Sequence, residues 1–213
     1  MNKHGKLIFK YGVMGGGKTL HLMATAHNFQ EHSIPFLIIK SEIDTRDGRG
    51  VIHSRALGSR ECLSISTDAN IYEIISKYMD IRHCYIGCKA FKWILVDEVQ
   101  FLSKEQVEQL SAIADNFGIN IICYGLRTDF RGNLFEGSKR LFELADSFEE
   151  IKSSCDCNNK AIFNARINSD KKIILDGEQI DIGGDEKYTA MCRVCYFKSI
   201  KHPLYLENDN NLD

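Results

Sequence analysis

Apolar residues fall into short runs along the chain, separated by polar stretches punctuated by glycine. Lys6-Leu7-Ile8-Phe9-Lys10-Tyr11 predicts a strand, and a glycine cluster follows it at once. From Thr19 to Phe29, Leu20, Met23, Ala24 and Ala26 recur at near-helical spacing. Phe36 to Ile39, started by Pro35, reads as a buried strand, and Asn70 to Met79 as a helix resting on Ile71, Ile74, Ile75 and Tyr78. Trp93 to Val96 is wholly apolar and ends in Asp97-Glu98, the pattern of a parallel strand covered on both faces. Ser103 suits the N-cap of a helix running to Asn116, with Gln106 completing a capping box and Gly118 ending it. Ile119 to Tyr124 is a further buried strand. Short apolar strands alternating with helices predict an α/β fold with a parallel sheet flanked by helices. Between these elements, Asp44 to Ser59 is polar, glycine-rich and basic, and predicts a long loop.

The pattern changes near Lys152, where close cysteine pairs appear, followed by Ile173-Ile174-Leu175 and a Gly183-Gly184 pair. The expected organisation is an α/β nucleotide-binding domain over residues 1–151, a small metal-bound appendage over 152–206 and a polar tail over 207–213. A length of 213 residues suits one domain with such an appendage. Lysine plus arginine number 27 against 29 aspartate plus glutamate, a net charge of −2 that argues against a protein that wraps nucleic acid. The longest apolar runs fall far short of the ~20 residues of a membrane span. No signal-peptide core follows Met1, so a cytoplasmic location is expected. The eight cysteines then do not form a disulfide framework. Cys84, Cys88 and Cys123, in or beside apolar stretches, read as small buried hydrophobes, while Cys62 stands alone in a polar stretch.

Three constellations carry chemistry. Gly12-Val13-Met14-Gly15-Gly16-Gly17-Lys18-Thr19 fits G-x-x-x-x-G-K-[ST] between a strand and a helix. Its glycines let backbone N–H groups turn inward on phosphate, Lys18 matches the β/γ-phosphate charge, and Thr19 offers Mg²⁺ a hydroxyl. This motif predicts binding of a nucleoside triphosphate. Asp97 and Glu98 stand at a strand's carboxyl end, where open α/β sheets bind ligands. Asp97 suits Mg²⁺ and Glu98 a general base. Cys155, Cys157, Cys192 and Cys195 form a C-x-C pair and, much later, a C-x-x-C pair. Four thiolates suit a closed, structural Zn²⁺ site that staples a segment too small to have its own core.

The order of further motifs resembles the thymidine kinase family, in its cytosolic type with a P-loop NTPase-like sheet and a zinc-binding lasso domain. The phosphate loop is followed by Asp44-Thr45-Arg46, Asp97-Glu98-Val99-Gln100-Phe101 and Tyr124-Gly125-Leu126-Arg127-Thr128-Asp129-Phe130-Arg131-Gly132. Gly183-Gly184-Asp185-Glu186-Lys187-Tyr188 and Cys192-Arg193-Val194-Cys195-Tyr196 extend the likeness to about residue 197. Val13, Gly15-Gly16 and Arg127 depart from the residues common in the family.

The resemblance implies an ATP-dependent thymidine kinase that makes dTMP and ADP for DNA synthesis, with deoxyuridine as a second substrate. It implies that Gly12 to Thr19, Asp44, Arg46, Asp97 and Gln100 serve ATP and Mg²⁺, and that Glu98 takes the proton of the 5′-hydroxyl. Met14, Phe101, Leu126 and Phe130 would enclose the pyrimidine, Ile180, Asp181, Ile182 and Gly183 would meet the base through their backbone, and Tyr188 would close over it. A homotetramer, feedback inhibition by dTTP, and no nucleic-acid or membrane partner are implied in the same way. Two readings stand against it: a P-loop motor or switch ATPase in which Glu98 activates water, and a zinc ribbon that holds nucleic acid beside an idle nucleotide site.

Overall fold

The computed structural model describes residues 4–84, 91–180 and 187–206. Six parallel strands form the central sheet: β1 (Leu7–Gly12), β2 (Phe36–Ser41), β5 (Leu63–Ile65), β6 (Trp93–Asp97), β7 (Asn120–Leu126) and β8 (Ser147–Ile151). Their order is β5-β2-β6-β7-β1-β8. The carboxyl ends of β1, β2, β6 and β7 therefore share one edge, and every predicted nucleotide residue lies on or just past it.

Strand alternation divides the core into two layers. Ile38, Leu95, Ile122 and Tyr124 face α1 (Lys18–Glu31) through its Leu22, Met23, Ala26 and Phe29. Ile39, Val96, Ile94 and Cys123 face the opposite way. There they meet α2 (Ile71–Cys84), α3 (Lys104–Phe117) and α4 (Glu136–Leu144) through residues such as Ile75, Leu110 and Leu141. Cys123 is buried as expected, whereas Cys88 lies outside the described residues, as does the side chain of Cys84. The helix starting near Thr19 forms, but Leu20 and Ala24 face outward and Leu22 takes the core position. α3 carries the expected capping box, Ser103 accepting from the Gln106 amide and Gln106 from that of Ser103, and Gly118 ends it with φ 66°.

The expected loop from Asp44 to Ser59 is not all loop. β3 (Val51–Ser54) and β4 (Gly58–Glu61) pair antiparallel as a hairpin. Ile52, fully buried against the α1 layer, supplies the apolar contact that holds the hairpin on the domain. Beyond β8, β9 (Phe163–Arg166) and β10 (Tyr188–Met191) form a two-stranded antiparallel sheet, followed by the short α5 (Arg193–Ser199). Phe163 stacks on Tyr196 at 4.2 Å between ring centres, and Phe197 packs across both. Ile173-Ile174-Leu175 forms no strand; Ile173 makes only an isolated bridge with Ile167. Val13 of the glycine loop is buried with Cys155, Ala161 and Cys192, so the small sheet's neighbourhood is packed directly onto that loop.

Candidate active site

The chain leaves β1 through a loop in which Gly15 and Gly17 take φ of 67° and 83°, left-handed values that glycine reaches without strain. Gly17 caps α1 with no side-chain hydrogen bond, and the helix's first turn holds no acidic residue. The first-turn N–H groups and positive dipole end of such a helix suit an anion. Lys18 Nζ donates to Val13 O at 2.9 Å across the loop, and Thr19 Oγ1 donates to Asp97 Oδ2 at 3.1 Å.

β6 places two carboxylates in succession, and they part company. Asp97 lies under Thr19, where burial and then the Glu98 charge push its carboxyl up to about 7; the Thr19 hydroxyl and Lys18 draw it back. Glu98 begins a single 3-10 turn, Val99–Phe101, with φ 49° and ψ 43°. A left-handed non-glycine residue costs ~1–3 kcal/mol and persists only where its surroundings hold it. Here Arg46 Nη2 and Gln100 Nε2 both donate to the Glu98 carboxylate, while Gln100 Oε1 accepts from Leu126 N at 2.9 Å. Gly125 makes this possible, because a Cβ there would lie 2.6 Å from Gln100 Oε1 and 2.7 Å from Val99 Cγ1. Arg46 is itself gripped by Asp44, its Nε and Nη2 donating to the two carboxylate oxygens at 2.7 and 3.0 Å. Burial would raise the Asp44 carboxyl, but the Arg46 and Lys40 charges overcome it and hold it below the usual value.

Asp44, Arg46, Glu98 and Gln100 border one cavity of about 460 Å³, which Asp97, beneath Thr19, does not itself line. Met14, Gly15, Gly17, Lys18 and Thr19 form its phosphate-loop wall, with Asp44, Arg46, Glu98 and Gln100 beside them. Phe101, Leu126, Phe130, Ile180 and Tyr188 line its apolar end. Gly12, Val13 and Gly16 do not line the cavity: the Val13 side chain points to the cysteine-bearing lobe, and Gly12 is packed on Ile151. Asp181, Ile182 and Gly183 lie outside the described residues.

The structure adds residues that the sequence did not single out. Asn164 of β9 is buried and bridges the lobes, Oδ1 accepting from Met14 N at 2.7 Å and Nδ2 donating to Thr128 O at 3.0 Å. Asp129 Oδ2 accepts from Gln179 Nε2 at 3.0 Å, and Arg131 donates to the carbonyls of Leu175 and Gly177, so the segment before Ile180 is tied down at the cavity mouth. Arg131 and Arg166 also lie over the Phe130 ring, at 4.7 and 5.1 Å. His53 and Ser54 of the hairpin complete the rim beyond the phosphate loop. Asp129 and Arg131 lie in the Tyr124–Gly132 motif without a role that the motif itself assigns, and Asn164 and Gln179 stand in no pattern that marks them.

The sulfur atoms of Cys155, Cys157, Cys192 and Cys195 lie within 4.8 Å of one another. A tetrahedron with ~2.3 Å metal–sulfur bonds has edges of about 3.8 Å, so the set fits a closed Zn²⁺ site. Backbone and side-chain hydrogen bonds from Asn159, joined by contacts with Cys195 and Cys192, draw the exposed Cys157 thiol below its ordinary value. Cys192 Sγ accepts from Cys195 N at 3.4 Å, at the start of α5.

A family model described as thymidine kinase matches residues 5–196. A thymidine kinase of Streptococcus pyogenes serotype M3 is 41% identical over 193 residues, covering 90% of this chain and 97% of that protein. One from Rhodopirellula baltica is 40% identical over 197 residues, 92% of this chain and 89% of that one. One from Shouchella clausii is 41% identical over 199 residues, 93% and 97%. The chain belongs to the thymidine kinase family. As a member of that family it is a kinase, and the α/β sheet with its cysteine cluster is the fold expected of it.

Membership gives the departures local explanations. Val13 replaces the usual loop residue with an apolar contact to Cys155 and Cys192. Arg127 does not enter the cavity; its Nη2 donates to Ile162 O at 3.2 Å and fastens the end of β7 to the cysteine-bearing lobe. No helix among the described residues is long and apolar enough to cross a membrane.

Proposed function

We propose that the cavity transfers the γ-phosphoryl group of ATP to the 5′-hydroxyl of thymidine, giving dTMP and ADP, with deoxyuridine as a second acceptor. One observation carries this reading: the phosphate loop and the Glu98 carboxylate line a single cavity whose other end is apolar. The triphosphate lies over the Gly12–Thr19 loop and the α1 N-terminus, where Lys18 exchanges the Val13 carbonyl for phosphate oxygen. Thr19 and Asp97 would hold Mg²⁺, which supplies charge neutralisation at the phosphates when bound. Arg46 turns from Glu98 to the transferring group while Asp44 keeps its grip, and Glu98, so released, accepts the hydroxyl proton.

Phosphoryl transfer asks mainly for positioning and charge, and these residues provide both. Met14, Phe101, Leu126 and Phe130 sandwich the pyrimidine, and Tyr188 closes its edge. Residues 180–183 read the base through backbone groups, a polar match that a wrong base would leave unpaired. Cys155, Cys157, Cys192 and Cys195 hold a structural Zn²⁺ in a lobe spanning about 152–206, beside a nucleotide domain spanning about 1–151. A cytoplasmic homotetramer inhibited by dTTP and serving thymidine salvage completes the reading.

The test offers γ-labelled ATP with each of the four deoxynucleosides and with deoxyuridine. Label entering thymidine and deoxyuridine alone is expected. Phosphate release without any nucleoside would instead support the ATPase reading, and tight, strongly salt-dependent nucleic-acid binding the zinc-ribbon reading.

A further inference from the structure

Lys40 of β2 is 1% exposed, yet no step above uses it. Its ammonium lies 3.2 Å from Asp44 Oδ2, 3.4 Å from Asp47 Oδ2 and 3.3 Å from Val51 O. Burying an ammonium is costly, and a buried ion pair is weak grounds for stability, since a well-packed apolar side chain often serves as well. Its partners suggest what the charge is for. Asp44 lies on the stretch between β2 and β3, where Gly48 and Gly50 have φ of 88° and 73° and no sheet ladder fixes the backbone. Asp44 in turn grips Arg46 with both carboxylate oxygens, and Arg46 reaches Glu98. On its other side Asp47 accepts from His53 N at 3.3 Å, at the hairpin that rims the cavity. A rigid central strand thus holds, through one ammonium, both the Arg46 clamp and the foot of the hairpin.

We propose that Lys40 is a positioning residue for phosphoryl transfer, fixing Asp44 and through it the Arg46 guanidinium at the phosphate end of the cavity. The inference rests on the reading of Arg46 given above. Arg46 must leave Glu98 when the triphosphate arrives, and it can swing on Asp44 without losing its place only if Asp44 is itself anchored. Lys40 supplies that anchor from a strand that does not move with the loop. It also adds a second positive charge beside Asp44 and pairs Asp47, near where an anionic ligand would lie.

The experiment is a double-mutant cycle on kcat with K40M, R46A and the pair, beside calorimetric thymidine binding and zinc content. K40M is expected to lower kcat ~10–100-fold, the scale of a misplaced catalytic group, with thymidine affinity and zinc kept within about threefold of wild type. The double variant should be no worse than R46A by more than about threefold, because Lys40 acts through Arg46. K40Q, whose amide can still donate to Asp44, should fall between wild type and K40M, and replaces K40M in the cycle if that variant does not fold. Losses that multiply, or a folded K40M or K40Q with wild-type kcat, would overturn the inference. An R46A enzyme with wild-type kcat would remove the Arg46 reading itself, whatever Lys40 does.

Discussion

Asn164 Oδ1 accepts the Met14 amide at 2.7 Å, joining the first strand of the cysteine-bearing lobe to the phosphate loop. The same side chain donates to Thr128 O, and Val13 beside it packs on Cys155 and Cys192. Through Asn164 and Val13 the lobe is therefore in direct contact with the loop proposed to receive the triphosphate.

Asn164→Ala is expected to leave the Met14 amide and the Thr128 carbonyl without their partner in a buried place. Such a loss costs about 1–3 kcal/mol. ATP affinity should fall along with stability, and calorimetric titration of ATP beside thermal melting checks both. Unchanged ATP binding would separate the two lobes functionally.

Zinc should behave as a structural staple with a catalytic consequence. Purified protein is expected to hold about one Zn²⁺ per chain, and Cys192→Ser or chelation to loosen the region after Lys152 while the central sheet survives. Because Val13 and Met14 lean on that region, activity should fall with the metal. Elemental analysis and assay on the same samples decide it; a fully active zinc-free enzyme would contradict the coupling.

Much of this was legible beforehand, for definite physical reasons. β6 and β7 are buried almost throughout and β2 over most of its length, so their sequences are nearly uninterrupted apolar runs, and α3 carries its boundaries in Ser103, Gln106 and Gly118. The β3–β4 hairpin escaped notice because Ile52 is its one fully buried apolar side chain, set among arginines and glycines. β8 is an edge strand whose residues Ser147, Phe148 and Glu149 are exposed, so it shows no apolar run. Spacing could single out residues such as Lys18, Glu98 and the four cysteines; it could not single out Lys40 or Asn164, because a lone polar residue gains its meaning only from what the fold brings near it.

The pH dependence of stability should carry the signature of Asp97. Its carboxyl is raised to about 7 against an ordinary 3.8, so across that interval the native state binds more protons than the unfolded chain. Its contribution to stability is therefore greatest at low pH, declines as pH rises through the interval, and is flat above it. Asp97→Asn removes this decline, so the variant's melting temperature relative to wild type should be higher at pH 8 than at pH 5, at about 2–4 °C per kcal/mol. Melting curves without nucleotide or Mg²⁺ provide the check, and an equal difference at both pH values would contradict it.

Gly125→Ala tests the support beneath Glu98. The new methyl would meet Gln100 Oε1 and Val99 Cγ1 well inside contact distance. Displacement of Gln100 takes away one of the two donors that hold the Glu98 carboxylate. A loss of about 1–3 kcal/mol of stability is expected from overpacking, with a fall in kcat exceeding any change in thymidine affinity. Equilibrium denaturation and steady-state kinetics on the same preparation measure both.

Glu98→Gln bears most directly on the central claim, that this cavity transfers phosphate with Glu98 as base. The amide keeps the size of the side chain, and Asp97 with Thr19, the proposed Mg²⁺ holders, is left unchanged. General-base assistance is worth ~10²–10⁴-fold, so turnover of thymidine at saturating ATP should drop by about that factor. Calorimetric affinities for thymidine and for ATP should remain near wild type. Near wild-type turnover, or a loss of ATP affinity with turnover intact at saturation, would contradict the assignment and make Glu98 a nucleotide or metal ligand instead.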